Sequence, residues 1–189
     1  MLRSKNLCTV LFGSAISFLI NLMKRDACWF QLGVASQTPT VERPKNLMNR
    51  DTIAILDDEP DRLRAMEPIL AKRYPQYNVV TFDNAPDINA WFEANLPSCI
   101  LICLDHDLGP TRKRDGADFD PGIGRDVSDY LASRDPICPV IIHTTNTDAR
   151  PGMIFGLEDA GWIVSYVSPY SDVLWVREVW ADEVRSVLS

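Results

Sequence analysis

Four short runs carry the residues that could do chemistry together: Asp57-Asp58, Leu104-Asp105-His106-Asp107-Leu108-Gly109, His143-Thr144-Thr145-Asn146 and Ser168-Pro169. Each run follows directly on an apolar stretch, so each falls where a strand would end. Massed carboxylates repel one another unless a cation or phosphate chemistry uses them. A hard divalent ion, most plausibly Mg²⁺, suits such oxygen ligands, with water and phosphate oxygens completing its shell. Asp57, Asp58, Asp105 and Asp107 are therefore the candidate metal ligands, and no spacing suggests a zinc cage. His106 and His143, both histidines of the chain, are candidates for acid and base near neutral pH, with Asp105 as a third catalytic candidate. Asn146, Thr144 and Arg150 are the candidate substrate-binding residues. Taken singly, each has a plainer reading: Asp58 as a helix cap, Asp107 as a turn residue, a histidine as a hydrogen-bonded strand end.

The elements that must position these residues follow from hydrophobic period. Strands are expected at Thr52–Leu56, Asn78–Phe82, Cys99–Leu104, Val140–Thr144 and Trp162–Val167, most of them apolar enough to be buried on both faces. Helices are expected at Pro60–Tyr74, Ala85–Asn95, Gly124–Arg134, Ala149–Ala160 and from about Ser171 to Leu188. In the first helix Leu63, Met66, Ile69, Leu70 and Tyr74 recur at three- and four-residue spacing. Strict β-α alternation implies a three-layer α/β/α domain, with a five-stranded parallel sheet and right-handed crossovers. Ligands of such sheets bind in a crevice at the carboxyl ends of the strands, which is where the four runs lie.

The rest of the chain sets limits. It has 189 residues and a formal net charge of −7, which argues against broad adhesion to nucleic acid or anionic membrane. Residues 1–47 carry a net positive charge and the remainder is strongly acidic. The uncharged run from Leu7 to Met23 is short and polar for a spanning helix and lacks a clean cleavage site. Residues 1–47 read as an extension preceding a domain over 48–189: an upstream stretch from a misassigned start, an amphipathic appendage, or a weak signal or anchor segment. The five cysteines lack metal-site spacing, and a cytoplasmic setting is expected, with membrane association only if residues 1–47 are made. The loop 110–123, with Arg112, Lys113 and Arg114, is a candidate lid or substrate-reading element. Trp162 is expected to open the fifth strand, and Trp175 and Trp180 to pack the last helix as core or interface, with no site placed on them.

The ordered set of Asp57-Asp58, Asp105, Thr144 and a proline after the fifth strand resembles the receiver domain of response regulators, which has the flavodoxin-like topology. The resemblance implies that Asp57 and Asp58 are a metal-binding pair, Asp105 a phospho-accepting aspartate and Thr144 a switch hydroxyl. A receiver carries a lysine where this chain has Ser168. The Leu104–Gly109 and His143–Asn146 motifs are in turn similar to the cyclic-phosphate processing receiver family, inferred to act in RNA repair and end-processing. That resemblance implies a metal-assisted phosphoesterase acting on a 2′,3′-cyclic phosphate, with an RNA end or a cyclic nucleotide as partner. The alternative is a divergent receiver, phosphorylated on Asp105, that acts as a signalling or interaction module.

Overall fold

Residues 50–189 are described by a computed structural model; the expectations for residues 1–47 lie outside the described residues. The apolar runs become β1 (Thr52–Leu56), β2 (Asn78–Phe82), β3 (Cys99–Leu104), β6 (Val140–His143) and β7 (Val164–Val167). A short antiparallel hairpin, β4 (Arg112–Arg114) and β5 (Ala117–Phe119), stands apart. The main sheet is parallel throughout, in the order β2-β1-β3-β6-β7. Helices α1 (Pro60–Arg73), α2 (Ala85–Asn95), α3 (Gly124–Ala132), α4 (Arg150–Asp159) and α5 (Ala181–Val187) make the crossovers and the last layer, a π-helical turn over Val176–Trp180 running directly into α5. This is the expected three-layer α/β/α architecture with flavodoxin-like topology.

Alternation along the strands sorts the core into two layers. Ile53, Ile55, Leu101, Cys103 and Ile141 face Met66 and Leu70 of α1 and Trp175, Trp180 and Val184 near the end of the chain. Ala54, Leu56, Ile102, Leu104, Val140 and Ile142 face Ile88 and Phe92 of α2, Val127 and Leu131 of α3, and Met153 and Leu157 of α4. Each valine, leucine, isoleucine, phenylalanine or methionine among them, fully buried, contributes about 1.5–3 kcal/mol of transfer free energy. Trp175 and Trp180 are core residues, as read from the sequence, and Trp162 is buried too but precedes the last strand instead of opening it. Cys99, Cys103 and Cys138 are buried free thiols; burial pushes Cys99 up to about 12 and raises the other two further, so none offers a thiolate.

Several expected boundaries move. The last strand starts at Val164, because the Trp162 N–H instead donates to Leu157 O at the end of α4. The helix expected from about Ser171 does not begin there: Ser171 and Asp172 adopt positive φ (41° and 49°), which no helix accommodates. Pro68 lies inside α1 without ending it. Among the described residues, no helix is long and apolar enough to cross a membrane.

Candidate functional site

The same alternation that sorts the core selects the site. One step beyond Leu56, Leu104 and Ile142, which lie side by side in the sheet, come Asp57, Asp105 and His143. All continue the parity of Ile55, Cys103 and Ile141, so all face the α1 layer. The ladder itself reaches them: the Asp57 N–H donates to Phe82 O at 3.0 Å and the Asp105 N–H to Leu56 O at 2.8 Å. Oxygens of Asp57, Asp58 and Asp105 lie within 4.8 Å of one another. Two carboxylates about 4 Å apart repel by ~4 kcal/mol at an effective dielectric near 20, so the group needs cationic or hydrogen-bonding partners.

It has several. The Glu59 N–H donates to Asp57 Oδ1 at 2.9 Å, and the His106 N–H donates to Asp105 Oδ1 at 2.6 Å. Nε2 of His143 hydrogen-bonds to Asp57 Oδ2 at 3.1 Å. Arg62, from the first turn of α1, places Nη1 2.7 Å from Asp105 Oδ2 and 3.6 Å from Asp57 Oδ2. Burial opposes the charge on this guanidinium, but Asp57 and Asp105 outweigh burial and raise its pKa. Arg62 did not figure among the sequence candidates. Its signal was helical spacing: Arg62, Met66 and Leu70 share one stripe, so an arginine sits on the buried face of α1 just where that face meets Asp57.

Burial, then Asp105, Asp57 and Glu59, push the carboxyl of Asp58 up to about 6. Burial also raises Asp105, with Asp57 adding to the rise while His143, the His106 N–H and Arg62 oppose it. Among the described residues no other side chain hydrogen-bonds to Asp58, so its carboxylate stays open to a cation. Because its folded pKa exceeds the ordinary 3.8, the folded domain holds a proton that the unfolded chain releases. The stability this contributes is complete below about pH 4 and fades as pH rises through about 6. Asp58→Asn, which stays neutral, is expected to melt higher than wild type at pH 7 in EDTA and to lose that advantage near pH 4. Thermal melts at the two pH values check this; an Asp58→Asn protein less stable than wild type at pH 7 would contradict it.

Gly109, at φ +75°, brings the loop after β3 onto this carboxylate, since a Cβ there would lie 2.9 Å from Asp58 Oδ2. On the other side, α3 packs hard against the end of β3. The Gly124 N–H donates to His106 O at 2.8 Å, and a Cβ on Gly124 would lie 1.9 Å from Asp105 O.

The remaining sequence candidates fall elsewhere. Asp107 is not one of the carboxylate group. It is exposed, accepts from Asn146 Nδ2 at 3.2 Å and pairs with His106 Nδ1 at 2.9 Å; the hydrogen bond from His106 holds its carboxyl below the usual range. Asn146 Oδ1 accepts from the Ala149 N–H at 2.9 Å, just before α4. His106, Asp107 and Asn146 thus tie the loop after β3 to the loop after β6. His143 is fully buried, with its ring stacked on Trp175 at 5.8 Å between centroids. Its neighbour Thr144 is equally buried, and its Oγ1 accepts from the Asn146 N–H at 3.1 Å. Arg150 donates to Ser168 Oγ at 2.6 Å and lies 4.6 Å over the Tyr166 ring, linking α4 to the end of β7.

The expected lid is the β4–β5 hairpin. Its turn is Asp115-Gly116, both at positive φ, which is a strong hairpin signal. Its basic triplet is already paired, Arg112 with Asp83, Lys113 with Asp118 and Arg114 with Asp87, rather than held out toward a phosphate.

No family model and no curated protein matches the chain. Solved structures do. The phosphorylated cyanobacterial phytochrome response regulator RcpA is 20% identical, with 74% of this chain and 95% of that one covered and a TM-score of 0.57. The chain has the receiver fold. A chain of the CheX–CheY–BeF3–Mg²⁺ complex from Borrelia burgdorferi is 14% identical, with 74% and 90% covered and a TM-score of 0.51. A DNA-binding response regulator of the LuxR family from Staphylococcus aureus is 18% identical, with 74% and 99% covered and a TM-score of 0.50.

These neighbours overturn the expectation of a cyclic-phosphate phosphoesterase acting on an RNA end or cyclic nucleotide. The proteins of this fold that the chain resembles include phosphorylated and DNA-binding response regulators. The site is in keeping with that correction: each histidine is bound to a different carboxylate, and His143 has no open face from which to exchange a proton with a substrate.

Proposed function

We propose that residues 50–189 form a divergent receiver domain in which Asp105 accepts a phosphoryl group and the phosphorylated state is read by a protein partner. One observation carries this reading: the buried Asp105 carboxylate closes the central strand β3 within 4.8 Å of Asp57 and Asp58. The receiver fold and its RcpA neighbour, a phosphorylated response regulator by its description, support it. The donor set fits a hard divalent cation, since all three ligands are carboxylates within reach of one another. Asp57, Asp58 and Asp105 would hold Mg²⁺, which when bound offsets charge on phosphoryl oxygens.

The chain's own residues do the rest. The His106 N–H holds Asp105 Oδ1 and so orients the carboxylate with Oδ2 toward Arg62. His143 and the Glu59 N–H hold Asp57 in place from beneath. Thr144, at the end of the neighbouring strand, is the switch hydroxyl: its Oγ1 accepts from the Asn146 N–H, which leaves its O–H to donate to a phosphoryl oxygen. His106, Asp107 and Asn146 couple that donation to the loop before α4.

Beryllofluoride, which binds a carboxylate as a phosphoryl mimic, tests the reading. With Mg²⁺ it is expected to raise the melting temperature of the full chain and to leave Asp105→Asn unchanged. A wild-type melt indifferent to beryllofluoride and Mg²⁺ would sink the proposal.

A further inference from the structure

We infer that Arg62 is the charge partner of the phosphoryl group on Asp105, supplied from α1 in place of the cation that this chain lacks after β7; the inference rests on the phosphorylation of Asp105 proposed above. Position 168 brings no positive charge of its own, and its hydroxyl is engaged by Arg150. Among the described residues, Arg62 is the lysine or arginine that forms an ion pair with Asp105. The hairpin arginines and Lys113 pair with Asp83, Asp87 and Asp118, and Arg125 pairs with Asp129. Arg62 is one-fifth exposed at its side chain, and it also lines a groove with Glu59, Asp61, Thr145, Pro169 and Tyr170. One side chain therefore touches both the acceptor oxygen and the open surface from which a small phosphodonor arrives.

The chemistry requires such a group. Oδ2 of Asp105 attacks the phosphorus of an acyl phosphate, the bond from phosphorus to the bridging oxygen breaks, and the carboxylate leaving group departs with that electron pair. No proton moves, and Asp105 passes from one negative charge to two. Since Oδ1 is held by the His106 N–H, Oδ2 is the nucleophile, and Arg62 is its present partner. Releasing Oδ2 as the new bond forms leaves the planar guanidinium beside the phosphoryl oxygens, where its fork can take two of them. Before phosphorylation the same arginine neutralises part of the carboxylate group, so it competes with a divalent cation there.

The test uses the full chain as wild type, Arg62→Gln and Arg62→Lys, with folding checked by thermal melts. Intact mass follows adduct formation from acetyl phosphate with Mg²⁺, and calorimetry without donor measures Mg²⁺ binding. Arg62→Gln is expected to form the adduct on the order of a hundredfold more slowly, the size of losing one preorganised charge partner, with Arg62→Lys between. Mg²⁺ is expected to bind Arg62→Gln about tenfold more tightly. A wild-type adduct that Arg62→Gln forms at the same rate, or Mg²⁺ affinity unchanged or weakened in Arg62→Gln, overturns the role of Arg62 and leaves Asp105 as acceptor. No adduct on wild type overturns both.

Discussion

Replacing His143 by leucine is expected to lower the unfolding free energy by about 3 kcal/mol, the scale for taking the partner away from a buried carboxylate. The reason is Asp57. Its carboxylate and the His143 ring are both completely buried, with Nε2 and Oδ2 3.1 Å apart. A leucine fills similar space against Trp175 but takes that hydrogen bond away, leaving Asp57 Oδ2, among the described residues, with Arg62 at 3.6 Å. Urea unfolding at pH 7 measures the loss, and Asp57→Asn in the His143→Leu background should recover part of it by removing the charge. An exposed acid/base histidine would behave differently, losing turnover with little change in folding. A wild-type urea midpoint for His143→Leu would therefore show that the ring is not the floor of the site.

The second large effect is expected at Gly124. An alanine Cβ there would fall 1.9 Å from Asp105 O and 2.8 Å from His106 Cα. Both are backbone atoms of the strand that carries the acceptor, so neither has a rotamer through which to yield. Either α3 lifts from the sheet, breaking the Gly124 N–H to His106 O bond and uncovering Val127 and Leu131, or the end of β3 shifts and carries Asp105 with it. Overpacking of this kind costs about 3 kcal/mol, and beryllofluoride stabilisation should be lost in the protein that still folds. Gly116→Ala is the contrast: nothing lies within 4 Å of its Cβ, and only its φ of +84° opposes the change, at about 1–2 kcal/mol. Equal melting temperatures for the two variants would contradict the close packing of α3 on β3.

Much of this was legible in the chain because the signals are local. β1, β2 and β3 fall at the ends expected from their apolar runs, and α2 matches from Ala85 to Asn95, where Asn84 caps the helix by accepting from the Asp87 N–H. Convergence of Asp57, Asp58 and Asp105 followed from the rule that parallel strands end together. What escaped the reading depends on contacts between distant segments. Both histidines sit beside an aspartate in sequence or in space, and only the folded sheet shows that His143 turns inward to Asp57 while His106 turns to Asp107. Parity could have settled His143 against Thr144, since Ile141 and His143 lie on one face, but the sequence does not say which face α1 covers. The hairpin is signalled by its Asp115-Gly116 turn but not by its strands. Arg112-Lys113-Arg114 has none of the β-branched or aromatic character of a strand, and it is held by ion pairs and by Phe119 beneath Arg112 and Arg114. Arg62 was overlooked because attention to strand ends passes over the first turn of the helix that follows.

The central claim is that Asp105 is a phosphoryl acceptor, and mapping the modified residue tests it most directly. The full chain is incubated with acetyl phosphate and Mg²⁺, digested at low pH where acyl phosphates survive, and sequenced by tandem mass spectrometry. A single phosphoryl adduct on Asp105, absent from Asp105→Asn and from samples lacking Mg²⁺, is the predicted result. A chain that stays unmodified, or one modified at His106 or Asp107 instead, would contradict the account.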